Sequence, residues 1–369
     1  MAAEGLPLVP GNWGQRPCLM IRAAVNAAGM RKAGSDGGDW SAETARLSRP
    51  VIEQLVRAAA APSMHNTQPW RFRVTDAGRA IELRADPARQ LPYGDPSGRA
   101  THIACGAALF NLRLAAGVAG WQAVVRLLPD RGAPLLLATV RFHGHYRAGD
   151  VEHDLHAAIE ERRTNRQPFR EHPVPARVLA RMTEAARAEG AILHILDRSE
   201  TARVLQLAAD AERAQLADPA YHAELARWVG GQRDRDGIPD TALGPRSPDC
   251  PTPVRHFTPR SRPEPGGYAR FEKAPQLAVL SVRGGGAADW LRAGQALQRV
   301  LLTATAAGIA TCPLTQPLET SDAWLVRDSR SGIEQPHMIV RIGYATPVPP
   351  TPRRPVGDIL DEPEPPASG

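Results

Sequence analysis

The chain has 369 residues, 43% hydrophobic and 23% charged, with 45 Lys and Arg against 39 Asp and Glu and a formal net charge of +6. That length supports two domains, or one large domain built from two similar halves, with a substantial core. Basic residues are interleaved with acidic ones rather than gathered in a stripe, so nucleic acid is not an expected partner; no run approaches the roughly 18 apolar residues of a bilayer span, and the N-terminus lacks a secretion signal, so a cytoplasmic protein without a membrane partner is expected.

Residues 1–45 mix Gly, Pro and Ser without periodicity and read as a flexible N-terminal arm. From Pro50 the pattern predicts a helix to Ala61, strands near 70–75 and 80–85, a long helix near 101–119, and strands near 123–128 and 135–142. A second series follows. It has helices near 153–163 and 176–189, a strand near 191–196, helical segments near 199–230, a strand near 276–282, a long helix near 288–307 and a strand near 337–344. The expected fold class is α+β, with one half over 46–150 and another over 151–369.

The two halves echo one another. Gly106–Gly120 laid on Gly294–Gly308 without a gap gives seven identities in fifteen positions, including both terminal glycines. Ala- and Leu-rich helices resemble one another by accident, but matched glycines are disfavoured inside helices, which points to duplication.

Two segments carry chemistry. Between Pro62 and Pro69 lie Ser63, His65, Asn66, Thr67 and Gln68, a polar turn entering a strand through Trp70. It reads either as a solvated loop or as a ligand-holding turn pinned at both ends by proline. The segment Arg162-Arg163-Thr164-Asn165-Arg166 closes a short helix. Its guanidinium groups suit phosphate oxygens; the other reading is an exposed helix end paired with Glu160 and Glu161.

Residues 244–275 hold eight prolines and the pair Gly266-Gly267. So many breakers predict a lid or an excursion, with Phe257, Tyr268 and Phe271 available for docking. The four cysteines are scattered without a CxxC pair, and the spacings His143-x-His145 and His153-x-x-His156 belong to no recognisable ligand set, so no metal site is expected.

The run Ala-Pro-Ser-x-x-Asn-x-Gln-Pro-Trp-x-Phe from Ala61, together with Arg-Arg-Thr-x-Arg from Arg162, resembles the two hallmarks of the nitroreductase family of FMN flavoproteins. His65-Asn66, Gly294-Gln-Ala-Leu and Pro313-Leu-Thr-Gln-Pro-Leu-Glu319 are more similar to its Acg-type FMN-binding branch. The resemblance implies a three-layer α/β/α nitroreductase-like fold. Ordinary members are homodimers whose sites take one hallmark from each subunit. Here the Pro-Ser motif stands only in the first half and the arginine motif only in the second, so the tandem resembles a fused pseudo-dimer, monomeric, with one FMN.

By the same resemblance Arg162, Arg163, Thr164, Arg166 and Arg353 would hold the phosphate, ribityl chain and polar ring edge. Pro62, Ser63, Met64 and Asn66 would approach from the other half, and Pro313, Leu314, Thr315 and Gln316 would form a loop along the ring. The implied activity is NAD(P)H-dependent two-electron reduction of nitroaromatics, quinones or similar small electron-poor acceptors, with no catalytic residue outside the cofactor. The other expectation is a lidded protein that sequesters FMN without reductase turnover.

Overall fold

Helix α1 (Arg49–Ala58) starts with proline in its first turn, where the missing N–H costs nothing, and buries Ile52, Leu55 and Val56. It stops at Ala58, short of the predicted Ala61. Pro62 drives Ala61 out of the helical region, and the Ala60 carbonyl instead accepts from Asn111 Nδ2 at 3.0 Å. The computed structural model describes residues 46–249, 251–257, 267–320 and 334–361. The N-terminal arm, Trp324 and the tail beyond Asp361 lie outside the described residues.

The chain continues through β1 (Trp70–Thr75), β2 (Ala80–Ala85), α2 (Arg99–Val118), β3 (Gln122–Leu127), β4 (Leu136–His143) and α3 (Asp150–Glu161). After these come α4 (Ala176–Ala188), β5 (Ile192–Ile195), α5 (Arg198–Ala217), α6 (Pro219–Trp228), β6 (Gln276–Arg283), α7 (Ala287–Ala306), β7 (Ala310–Leu314), α8 (Gln316–Thr320) and β8 (Glu334–Gly343). A terminal segment with α9 (Val356–Ile359) and β9 (Leu360–Asp361) follows. The fold is α+β.

The five-stranded sheet has the order β3-β4-β2-β1-β9 and the four-stranded sheet the order β5-β6-β8-β7. Read from β3 and from β7, the two orders match strand for strand, apart from β9. That last strand runs parallel to β1, with Phe72 opposite Leu360, so the terminal segment supplies the fifth strand of the first sheet. Arg71 Nε secures it to Asp361 Oδ1 at 2.8 Å.

Strand β7 takes in Pro313 and Leu314, which were expected in a loop, and Gln316 opens α8. Proline is tolerated there because β7 is the edge strand of its sheet.

Helices α2 and α7 pack against each other between the sheets' cores. A Cβ at Gly106 would overlap the Leu291 carbonyl, and one at Gly294 would overlap that of Ile103. Helix α2 is apolar and long enough by composition to cross a membrane, against the expectation that no segment approaches this. Of its apolar window 83% is buried inside the protein, as befits a core helix.

The described part of 244–275 contains no helix or strand beyond a bridge between Arg246 and Tyr268. Phe257 is buried, whereas Tyr268 is 66% exposed.

Candidate functional site

The turn after α1 is built by its own side chains. Ser63 Oγ accepts from the Gln68 amide at 2.9 Å, and Thr67 Oγ1 donates to the Met64 carbonyl at 2.9 Å. His65, Asn66 and Gln68 adopt φ of 49°, 56° and 51°. Left-handed backbone costs a non-glycine residue about 1 kcal/mol or more, so something outside the turn must hold it. Gln68 Nε2 donates to the Arg235 carbonyl at 2.8 Å, and Gln68 Oε1 accepts from the Arg354 amide at 2.9 Å. Asn66 Nδ2 donates to the carbonyls of Gly237 at 2.9 Å and Pro352 at 3.0 Å. These partners exclude the solvated-loop reading.

The arginine motif leaves α3 in extended conformation and joins the free edge of β7. Thr164 bridges Thr311, whose carbonyl accepts from the Asn165 amide at 2.9 Å. This seats the motif beside Pro313–Gln316. Its far end is fastened by Arg341, fully buried on β8, which pairs with Glu272 through two bonds of 2.6 Å. Arg341 also donates to the Gln167 carbonyl at 3.1 Å, while Glu272 accepts from the Phe169 amide at 2.9 Å. Nothing in the sequence pattern marked Arg341, since an arginine in a strand reads as outward-facing.

Glu160 and Glu161 do not neutralise the motif. Arg163 Nη1 donates to the backbone carbonyls of Glu160 and Arg162, and Arg166 Nη1 to that of Ala242 at 3.0 Å. Among the described residues Arg162, Arg163, Arg166 and Arg353 have no carboxylate partner. Arg162 is only 4% exposed, and its Nε and Nη1 have no hydrogen-bond partner at all. Burial, then Arg353, Arg163 and Arg166, pull its pKa down to about 9. Burial and then Arg163 pull that of Arg353 down to about 10. Orphaned, mutually repelling guanidinium groups are costly and call for an anion.

Arg353 arrives on the terminal segment. Its Nη1 donates to Asn66 Oδ1 at 3.0 Å, Thr351 Oγ1 at 2.8 Å and the Pro352 carbonyl at 2.9 Å. A shallow cleft lies between Arg163, Thr164, Arg166 and Gln167 of the motif, Thr241 and Ala242 of the insertion after α6, and Val348, Pro349 and Thr351. The structure therefore brings the arginine motif, Arg353 and the β7 edge together, and links them to the turn through Asn66.

The segment carrying Phe257 reaches both motifs. The Phe257 ring meets the His65 ring edge-to-face at 6.0 Å and faces the Arg166 guanidinium at 5.3 Å. Arg255 anchors it, donating to Gln215 Oε1 at 2.8 Å, to Glu319 Oε2 at 3.1 Å, to Thr315 Oγ1 at 3.3 Å and to the Tyr221 hydroxyl. His65 is buried and held neutral, its pKa well below the usual range because of burial and then Arg255 and Arg166. Gln68, Arg255 and Gly237 were not read from sequence as site residues; the polar turn was the only hint of the first.

The nitroreductase family model matches residues 159–344. The Mycobacterium tuberculosis protein Rv3131, provisionally named an NAD(P)H nitroreductase, is 35% identical over 351 residues, covering 93% of this chain and 98% of that protein. The protein acg of the same organism, provisionally named likewise, is 34% identical over 336 residues, covering 85% and 96%. An FMN-bound nitroreductase from Desulfitobacterium hafniense shares 17% identity with a TM-score of 0.34, covering 57% of this chain and 98% of its own. The chain belongs to the nitroreductase family.

Proposed function

We propose that the chain is an FMN-dependent, NAD(P)H-consuming oxidoreductase with one flavin site per polypeptide. The carrying observation is Arg162, buried with Nε and Nη1 unpartnered among three further arginines that lack carboxylates. A phosphate would satisfy them. Each charge-assisted bond is worth about 1.5–3 kcal/mol, enough to anchor a cofactor without a covalent link.

In this reading Arg162, Arg163, Thr164 and Arg353 hold the phosphate, and Arg166 faces the polar ring edge. Pro62, Ser63 and Met64 approach from the first half, and Pro313–Gln316 line the other side. Bound FMN would take a hydride from NAD(P)H and pass two electrons to a nitroaromatic, quinone or similar acceptor. The protein contributes position and positive charge that favours an electron-rich ring. The names of Rv3131 and acg support this assignment.

One site per chain goes with a fused tandem. Its support is the matching strand order of the sheets and the reciprocal glycine contacts of α2 and α7. At the corresponding position after α4, Glu189 leads almost directly into β5 and its carboxylate is taken by Arg113 at 3.0 Å and Arg299 at 2.9 Å. No polar turn stands there. The monomer and the boundaries 46–150 and 151–369 belong to the same proposal.

The position of Phe257, between the turn and Arg166, favours a second reading, a lidded protein that stores FMN without turnover. Anaerobic mixing of the flavin-loaded protein with NADPH separates the two. Bleaching of the flavin band within seconds supports the reductase; persistent yellow colour with FMN retained supports storage. Protein that takes up no FMN would defeat both.

A further inference from the structure

We infer that Asn66 is a positioning residue for Arg353 rather than a direct flavin ligand; the inference rests on the flavin assignment above. Both ends of the Asn66 amide are already engaged by protein. Nδ2 spends its two hydrogens on the Gly237 and Pro352 carbonyls, at 2.9 and 3.0 Å, and Oδ1 accepts from Arg353 Nη1 at 3.0 Å. The side chain is buried, 7% exposed. No amide hydrogen is left for a ribityl hydroxyl or a ring oxygen.

The arrangement points Arg353 in one direction. Among the described residues, all of its hydrogen bonds run through Nη1, to Asn66, Thr351 and Pro352. Nε and Nη2 remain for an anion shared with Arg162. A long arginine side chain otherwise samples many rotamers, and fixing one beforehand lowers the cost of binding.

Asn66 also ties in a third segment. The Gly237 amide returns a bond to the Asn66 carbonyl at 3.2 Å. Residue 237 has φ of 72°, and a Cβ there would lie 2.6 Å from the Trp228 carbonyl, so only glycine brings this loop close enough. The turn of the first half, the loop after α6 and the terminal segment of the second half thus converge on one amide.

The test compares FMN with riboflavin, which lacks the phosphate, on full-length wild type, N66G, N66A, R353A and N66G/R353A. Glycine tolerates the left-handed backbone at 66, so N66G removes the side chain without straining the turn, and thermal melting of each variant reports folding. The expected result is a loss of about tenfold or more in FMN affinity for N66G, unchanged riboflavin affinity, and no further loss when N66G is added to R353A. Riboflavin affinity falling alongside that of FMN, losses that add in the double variant, or unchanged FMN affinity would each overturn the positioning role. Wild type that binds neither flavin would instead defeat the underlying assignment.

Discussion

Gly106 on α2 lies directly beneath the backbone carbonyl of Leu291 on α7, and three residues along each helix the contact is repeated in reverse by Gly294 and Ile103. The two glycines occupy equivalent places in the internal sequence match. Helix axes this close leave no room for a methyl group, and the obstacle is backbone rather than a movable side chain.

G106A and G294A are therefore expected to destabilise the protein by similar amounts, about 1–3 kcal/mol or more, through forced separation of α2 from α7. Urea unfolding measures this. A large effect in one and none in the other would remove the physical basis of the reciprocal packing.

Arg162→Met separates stability from binding. It removes a buried, unpartnered charge while keeping much of the side-chain volume, so the flavin-free protein should melt higher than wild type. FMN affinity should fall about ten- to a hundredfold, the loss of one charge-assisted contact. Thermal melts with and without FMN read both effects, and a lower melting temperature without flavin would show that Arg162 has a structural partner.

Binding should depend on pH at both ends. With Arg162 near a pKa of about 9 and Arg353 near about 10, the empty site loses positive charge as pH rises past 9, and FMN affinity should weaken there. Below about pH 6 the phosphate itself loses charge, and affinity should weaken again. For the flavin-free protein the sign is opposite at the alkaline end. The folded chain binds fewer protons than the unfolded one above pH 9, so stability rises with pH through that window. Flavin titrations and melts between pH 5 and 10 check both.

His337 on β8 is 2% exposed. Burial, then Arg99, pulls its pKa down to about 4. Unfolded histidine titrates near 6.5, so the unfolded chain binds the extra proton first as pH falls from about 6.5 towards 4. Stability should decline over that window by up to about 3 kcal/mol, and a phenylalanine at this position should flatten the decline.

Much of the secondary structure is legible in the sequence because helices and strands announce themselves by period, and the boundaries of α2, α4 and α7 fall within two residues of expectation. Strand β7 was hidden by Pro313, which reads as a breaker unless the strand is known to lie at an edge. The polar types at 63–68 declare a hydrogen-bonded turn, but Gly237, Arg235 and Pro352 are too distant in sequence to be named as its partners. Whether Glu160 and Glu161 neutralise the arginine motif is a matter of side-chain direction, and only coordinates show that they do not. The Arg341–Glu272 pair is illegible for the same reason.

Calorimetric titration of the flavin-free protein with FMN probes the central claim most directly. One flavin per chain is predicted, with affinity lost when Arg162 and Arg163 are both replaced by alanine. Two flavins per chain, or unchanged affinity in that double variant, would contradict it.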